Sequence, residues 1–78
     1  MAMTLTYSVV LEPQPEGGFT VTVPALPEVV TQGETEEEAI DMVREAIELA
    51  LEVRIERGEE IPEPAVSVLR QVKVAVAA

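Results

Sequence analysis

Carboxylates are the only abundant reactive side chains in this 78-residue chain: fifteen Asp and Glu stand beside no His, Cys or Trp. Without imidazole or thiol there is no usual nucleophile and base pair, and Ser8 and Ser67 have no evident partner to activate them. Acids alone can act in pairs, as acid and base on a glycosidic bond or as oxygen ligands of magnesium. Their positions argue against both. Glu37, Asp41, Glu45, Glu48, Glu52 and Glu56 recur at helical spacing on one face, and Glu59, Glu60 and Glu63 flank prolines, so most read as solvated charges. Gly17-Gly18 is turn chemistry rather than a phosphate loop, because no Lys-Ser or Lys-Thr pair follows and a strand comes next. Gly33 precedes a helix N-terminus that would offer amides to an anion, but Glu34, Glu36, Glu37 and Glu38 would repel one. The chain reads as a non-enzyme, with no catalytic, metal or cofactor site assigned.

The element that carries most of these acids runs from Thr35 to Gly58. Thr35 is placed to cap it, with Glu38 reaching back to the Thr35 N–H, while Glu36 and Glu37 favour the positive end of the helix dipole. Arg54 and Arg57 suit the last turn, and Gly58 suits the left-handed residue that closes a helix. Ile40, Val43, Ile47 and Leu51 form one apolar stripe flanked by Ala39, Ala46 and Ala50; Met42, Leu49 and Val53 form a second. Together they span roughly 200°, wider than the stripe that a surface helix needs to cover one core. Met42, Leu49 and Val53 are therefore expected at an interface between subunits. The acidic face of Glu37, Asp41, Glu45, Glu48 and Glu52 is left for a partner.

Strands surround this helix. Leu5 to Leu11 alternates as a half-buried strand; Pro13, Pro15, Gly17 and Gly18 interrupt it; Phe19 to Val23 alternates again, and the two are expected to pair antiparallel. Pro24-Ala25-Leu26-Pro27 forms a loop whose Leu26 plugs the core edge, and Glu28 to Gln32 supplies a short third strand. Three strands before one helix point to an α+β arrangement, with the helix packed on one face of the sheet. Past the stiff connector Glu59 to Pro64, Val66, Val68, Val72, Val74 and Val76 share one parity. Residues 65–76 are thus expected to form one long strand, or two about Leu69-Arg70, in this sheet or in a neighbour's. Residues 1–78 read as a single domain.

A domain of this size buries only about 60% of its unfolded surface, and disulfides and zinc are excluded as staples, so oligomerisation is the expected support. The net charge of −10 disfavours nucleic acid and anionic membranes as direct partners and favours a basic protein. No segment approaches the apolar length of a membrane span and no signal peptide is recognisable, which makes a cytoplasmic protein the expectation. The excess of Arg over Lys, the absence of Asn and the loop prolines hint at a thermophilic source.

Five pieces in order then carry a family resemblance: Tyr7-Ser8-Val9-Val10, Gly17-Gly18-Phe19, Pro24-Ala25-Leu26-Pro27, Thr31-Gln32-Gly33-Glu34-Thr35-Glu36-Glu37-Glu38-Ala39 and Gly58-Glu59-Glu60-Ile61-Pro62-Glu63-Pro64. Over about residues 5–64 the chain resembles the HicB-like antitoxin family of bacteria. The resemblance implies a β-β-β-α-β domain similar to a truncated ribonuclease H fold, antiparallel in its sheet, that forms homo-oligomers. It also implies a role in a type II toxin-antitoxin system: binding and neutralising a small basic HicA-like toxin that cleaves mRNA. A stand-alone oligomeric binding or scaffold domain without a toxin is the alternative. The chain ends soon after Val76, leaving no room for the family's DNA-binding segment, so operator binding is not carried over.

Overall fold

A computed structural model describes residues 4–64 and 67–77. Three strands, β1 (Val10–Pro13), β2 (Phe19–Thr22) and β3 (Val30–Gly33), precede one helix, α1 (Glu36–Glu56). The sheet is antiparallel in the order β1-β2-β3, with Leu11 opposite Val21 and Val21 opposite Thr31. This is the expected α+β arrangement. Because side chains alternate across a strand, Leu11, Val21 and Thr31 form one row facing α1, and Val10, Thr22 and Val30 form a row on the other side.

The core consists of Val21, Val23, Leu26, Val29, Ala39 and Val43, joined by the half-buried Tyr7, Val9, Leu11, Phe19, Ala46, Ile47, Ala50 and Leu51. Leu26 is fully buried, as its loop position suggested. Its placement follows from two successive turns, closed by Leu26 N–H to Val23 O and Val29 N–H to Leu26 O, each at 2.9 Å. Pro24 and Pro27 occupy the second position of those turns, where their fixed φ is already the one required.

Gly33 joins sheet to helix. A Cβ added there would lie 2.4 Å from Ala39 N and 2.5 Å from Ala39 Cα, so only glycine lets β3 approach α1 so closely. Thr35 caps the helix, its Oγ1 accepting from Glu38 N–H at 3.1 Å. The Glu38 carboxylate reaches one residue further back than expected, accepting from Glu34 N–H at 3.2 Å. At the other end Gly58 N–H donates to Ile55 O and Glu59 N–H to Arg54 O, with Gly58 at φ +71, the paired bonds of a Schellman closure.

Several strand boundaries differ from the sequence reading: β1 runs on to Pro13, and β3 spans Val30–Gly33 rather than Glu28 to Gln32. The ladder of β1 begins at Val10 rather than Leu5. Its register would set Ser8 against Pro24, which has no N–H and opens a turn, so residues 4–9 run on without a β2 partner. Tyr7 and Val9 still pack on the core, and the Tyr7 hydroxyl donates to Pro62 O at 2.5 Å. The expected strand over 65–76 has no ladder: residues 67–77 carry no strand pairing, and Ala65 and Val66 lie outside the described residues. A strand is defined by its neighbour's hydrogen bonds, and within this chain that segment has none.

Candidate partner-binding surface

The acidic face of α1 is built by helical repetition. Glu37, Asp41, Glu45, Glu48 and Glu52 are all exposed, and at 1.5 Å rise per residue the row runs for about 22 Å. Asp41 pairs with Arg44 at 3.1 Å, but both side chains are well exposed, so the pair holds little energy. Among the described residues Glu37, Glu45, Glu48 and Glu52 have no ion-pair partner. Only Asp41 of the row has an ion-pair partner among the described residues, so the stripe stays strongly negative.

A first groove, of about 570 Å³, separates that helix from the extended residues 4–9. Leu5, Tyr7 and Val9 form one wall and Ile40, Val43, Ile47 and Leu51 the other, with Arg44 and Glu48 at the rim. The groove exists because the unpaired start of the chain leaves the sheet one strand short above the helix's main apolar stripe.

A second groove, of about 530 Å³, lies where α1 meets the start of β3. Leu49, 62% exposed, and the half-buried Val53 line it, as does Val30 at 61% exposure. The structure thus brings together two of the three residues expected at a subunit interface. Met42 is 44% exposed on the same side of the helix but lies outside the groove. The sequence reading did not place Val30 beside Leu49 and Val53 in this groove; its parity opposite to Val29 and Thr31 was the available signal. Arg54 and Glu28 brace the rim, through Nε to Oε2 at 2.8 Å and Nη2 to Oε1 at 2.9 Å. The Glu28 carboxyl is held below its ordinary value by a backbone N–H first and the Arg54 guanidinium second, against an opposing desolvation.

The described residues contain no group of three or more acids placed to hold a metal ion, and no helix long and apolar enough to cross a membrane. What the described surface offers is charge and exposed apolar area.

Comparison with known proteins gives the same direction. Residues 7–75 match a family model described as HicB-like antitoxin of bacterial toxin-antitoxin system. The chain is 47% identical over 60 residues to antitoxin HicB 1 of Photorhabdus laumondii, covering 77% of this chain and 39% of that protein. It is 42% identical over 60 residues to antitoxin HicB of Escherichia coli K12, covering 77% and 44%. A UPF0150 protein of Thermoplasma acidophilum is 38% identical over 58 residues, covering 74% of this chain and 84% of that protein. The chain therefore spans less than half the length of the two antitoxins and most of the length of the Thermoplasma protein.

Proposed function

This chain belongs to the HicB-like antitoxin family of bacterial toxin-antitoxin systems, and from that premise we propose that it binds and neutralises a small basic HicA-like toxin that cleaves mRNA. The observation that supports this reading is the exposed acidic stripe Glu37, Asp41, Glu45, Glu48 and Glu52, of which only Asp41 has an ion-pair partner among the described residues. A ribonuclease must hold RNA phosphates with cationic side chains, and a row of fixed carboxylates competes for the same cations. The chain's own role is inhibition by occupancy rather than catalysis, exercised in the cytoplasm where mRNA is found. Its net charge of −10 leaves direct nucleic-acid binding disfavoured. Homo-oligomerisation through Met42, Leu49 and Val53 belongs to the same proposal, because it would array several stripes on one particle.

Co-purification with a small basic protein encoded beside this chain tests the reading. A complex that weakens as salt rises, and that fails to form when Glu45→Lys and Glu52→Lys are introduced together, is the expected result. Absence of a complex at low salt, with no relief of toxicity, would overturn it. The stand-alone binding domain is then the reading that remains.

A further inference from the structure

Arg44 is the one cation set within the acidic face of α1. Of the chain's five Lys and Arg, Arg54 and Arg57 stand at the end of the helix beside Glu28 and Glu59, and Arg70 and Lys73 lie beyond it. On the helix surface Asp41 is one turn before Arg44 and Glu48 one turn after, so this cation falls inside the acidic row rather than beside it. It divides the stripe unequally. Glu37 and Asp41 stand on its N-terminal side, and Glu45, Glu48 and Glu52 on the other.

The fold makes little use of this charge. Arg44 bonds Asp41 at 3.1 Å, and among the described residues its guanidinium has no hydrogen bond or ion pair outside α1. The two side chains are 62% and 76% exposed, so the pair adds little to stability. By propensity a glutamine would serve the helix about as well.

What Arg44 alters is the field that a docking surface meets. Along the axis it is about 10 Å from Glu37 and about 12 Å from Glu52, distances beyond the screening length of about 8 Å at physiological ionic strength. A docked group therefore feels the charge it faces more than the net charge of the chain. Towards the C-terminus it meets carboxylates alone; at Arg44 it meets a guanidinium. A partner bearing only cations would set one of them against Arg44, and like charges juxtaposed across an interface are disfavoured.

We propose, resting on the reading of the stripe as the surface for a basic protein, that Arg44 fixes the orientation and register of that partner on α1. The partner meets Glu45, Glu48 and Glu52 with cations and Arg44 with an acid. That acid stands about 6 Å along the helix axis from the cation over Glu48. Turned end to end, the same partner loses the match, because its acid no longer faces Arg44. Arg44 thus selects among basic proteins, a task that net charge alone cannot perform.

Calorimetric titration of the full chain with the small basic protein encoded beside it tests this, with poly-lysine as a second probe that carries no acid. Arg44→Glu is expected to weaken the protein complex by about tenfold or more, although the variant is more strongly negative, and to strengthen poly-lysine binding. Arg44→Lys keeps the charge and should stay within about threefold of the native chain. Protein binding by Arg44→Glu that is equal to or tighter than the native chain's would overturn the proposal, as would an Arg44→Lys loss as large as that of Arg44→Glu. If Arg44→Glu loses its helix by circular dichroism, through repulsion from Asp41 and Glu48, Arg44→Gln decides. A loss of about threefold or more in that variant supports the proposal, and a smaller change overturns it. A native chain that forms no complex at low salt overturns the function proposed above and this inference with it; a native complex indifferent to Arg44 overturns this inference alone.

Discussion

Arg54, in the last turn of α1, holds both carboxylate oxygens of Glu28 in a two-pronged bond that bridges twenty-six positions of sequence. It fixes the end of the helix to the loop that leads into β3, and so sets the width of the second groove. Planar guanidinium and planar carboxylate match in a way an ammonium cannot. Arg54→Lys is therefore expected to lose most of what Arg54→Gln loses. The Glu28 side chain is 45% exposed, which limits the loss to about 1 kcal/mol in urea denaturation.

The same pair has a pH signature. A carboxyl whose folded pKa lies below its unfolded one stabilises fully above the unfolded value, and its contribution fades as pH falls through the folded value. Glu28 is shifted in that direction. The stability difference between the native chain and Glu28→Gln should be constant near neutrality and shrink only as pH falls below the ordinary carboxylate range, about 4.3. A difference that grew on acidification would contradict the assignment.

Gly33 should be the least replaceable glycine. Its added Cβ would collide with Ala39 backbone atoms that cannot yield without moving α1 off the sheet. Gly33→Ala is expected to cost about 3 kcal/mol or more, in the range of severe core substitutions. Gly58→Ala meets open space and pays only for its positive φ, about 1 kcal/mol. Thermal denaturation of the two variants side by side checks the ranking.

Leu26→Ala removes a fully buried side chain from between two turns, and should destabilise by about 2–5 kcal/mol. Val30→Ala, on the exposed face of the sheet, should change monomer stability by about 0.5 kcal/mol or less. If Val30→Ala nevertheless alters the sedimenting mass, the second groove is an interface.

Leu49→Glu should shift the mass distribution further towards smaller species than Met42→Glu, because Leu49 shares its groove with Val30 and Val53 while Met42 lies beyond it. Analytical ultracentrifugation at matched concentrations gives the comparison. Equal and negligible shifts would remove the second helical stripe from consideration as a contact surface.

The helix was legible in the sequence almost residue by residue, because Thr35 and Gly58 mark its ends through local chemistry alone. Leu26 could be placed for a similar reason, since two prolines dictate the turns around it. The strands were legible as patterns but not as ladders. Alternation from Leu5 to Leu11 reports which side chains prefer a core, whereas pairing depends on what lies opposite, and Pro24 denies residues 4–9 a partner. The acidic stripe was readable from helical spacing; the grooves were not, because each joins segments far apart in sequence, such as Leu5 with Leu51 or Val30 with Leu49.

The neighbour-to-neighbour wiring of the body has a kinetic consequence. Each strand pairs with the next one in sequence, and α1 packs chiefly against β3, which immediately precedes it. Chains wired this way close only short loops and reach their native contacts quickly. The body should therefore complete a fast refolding phase whose rate does not change with protein concentration.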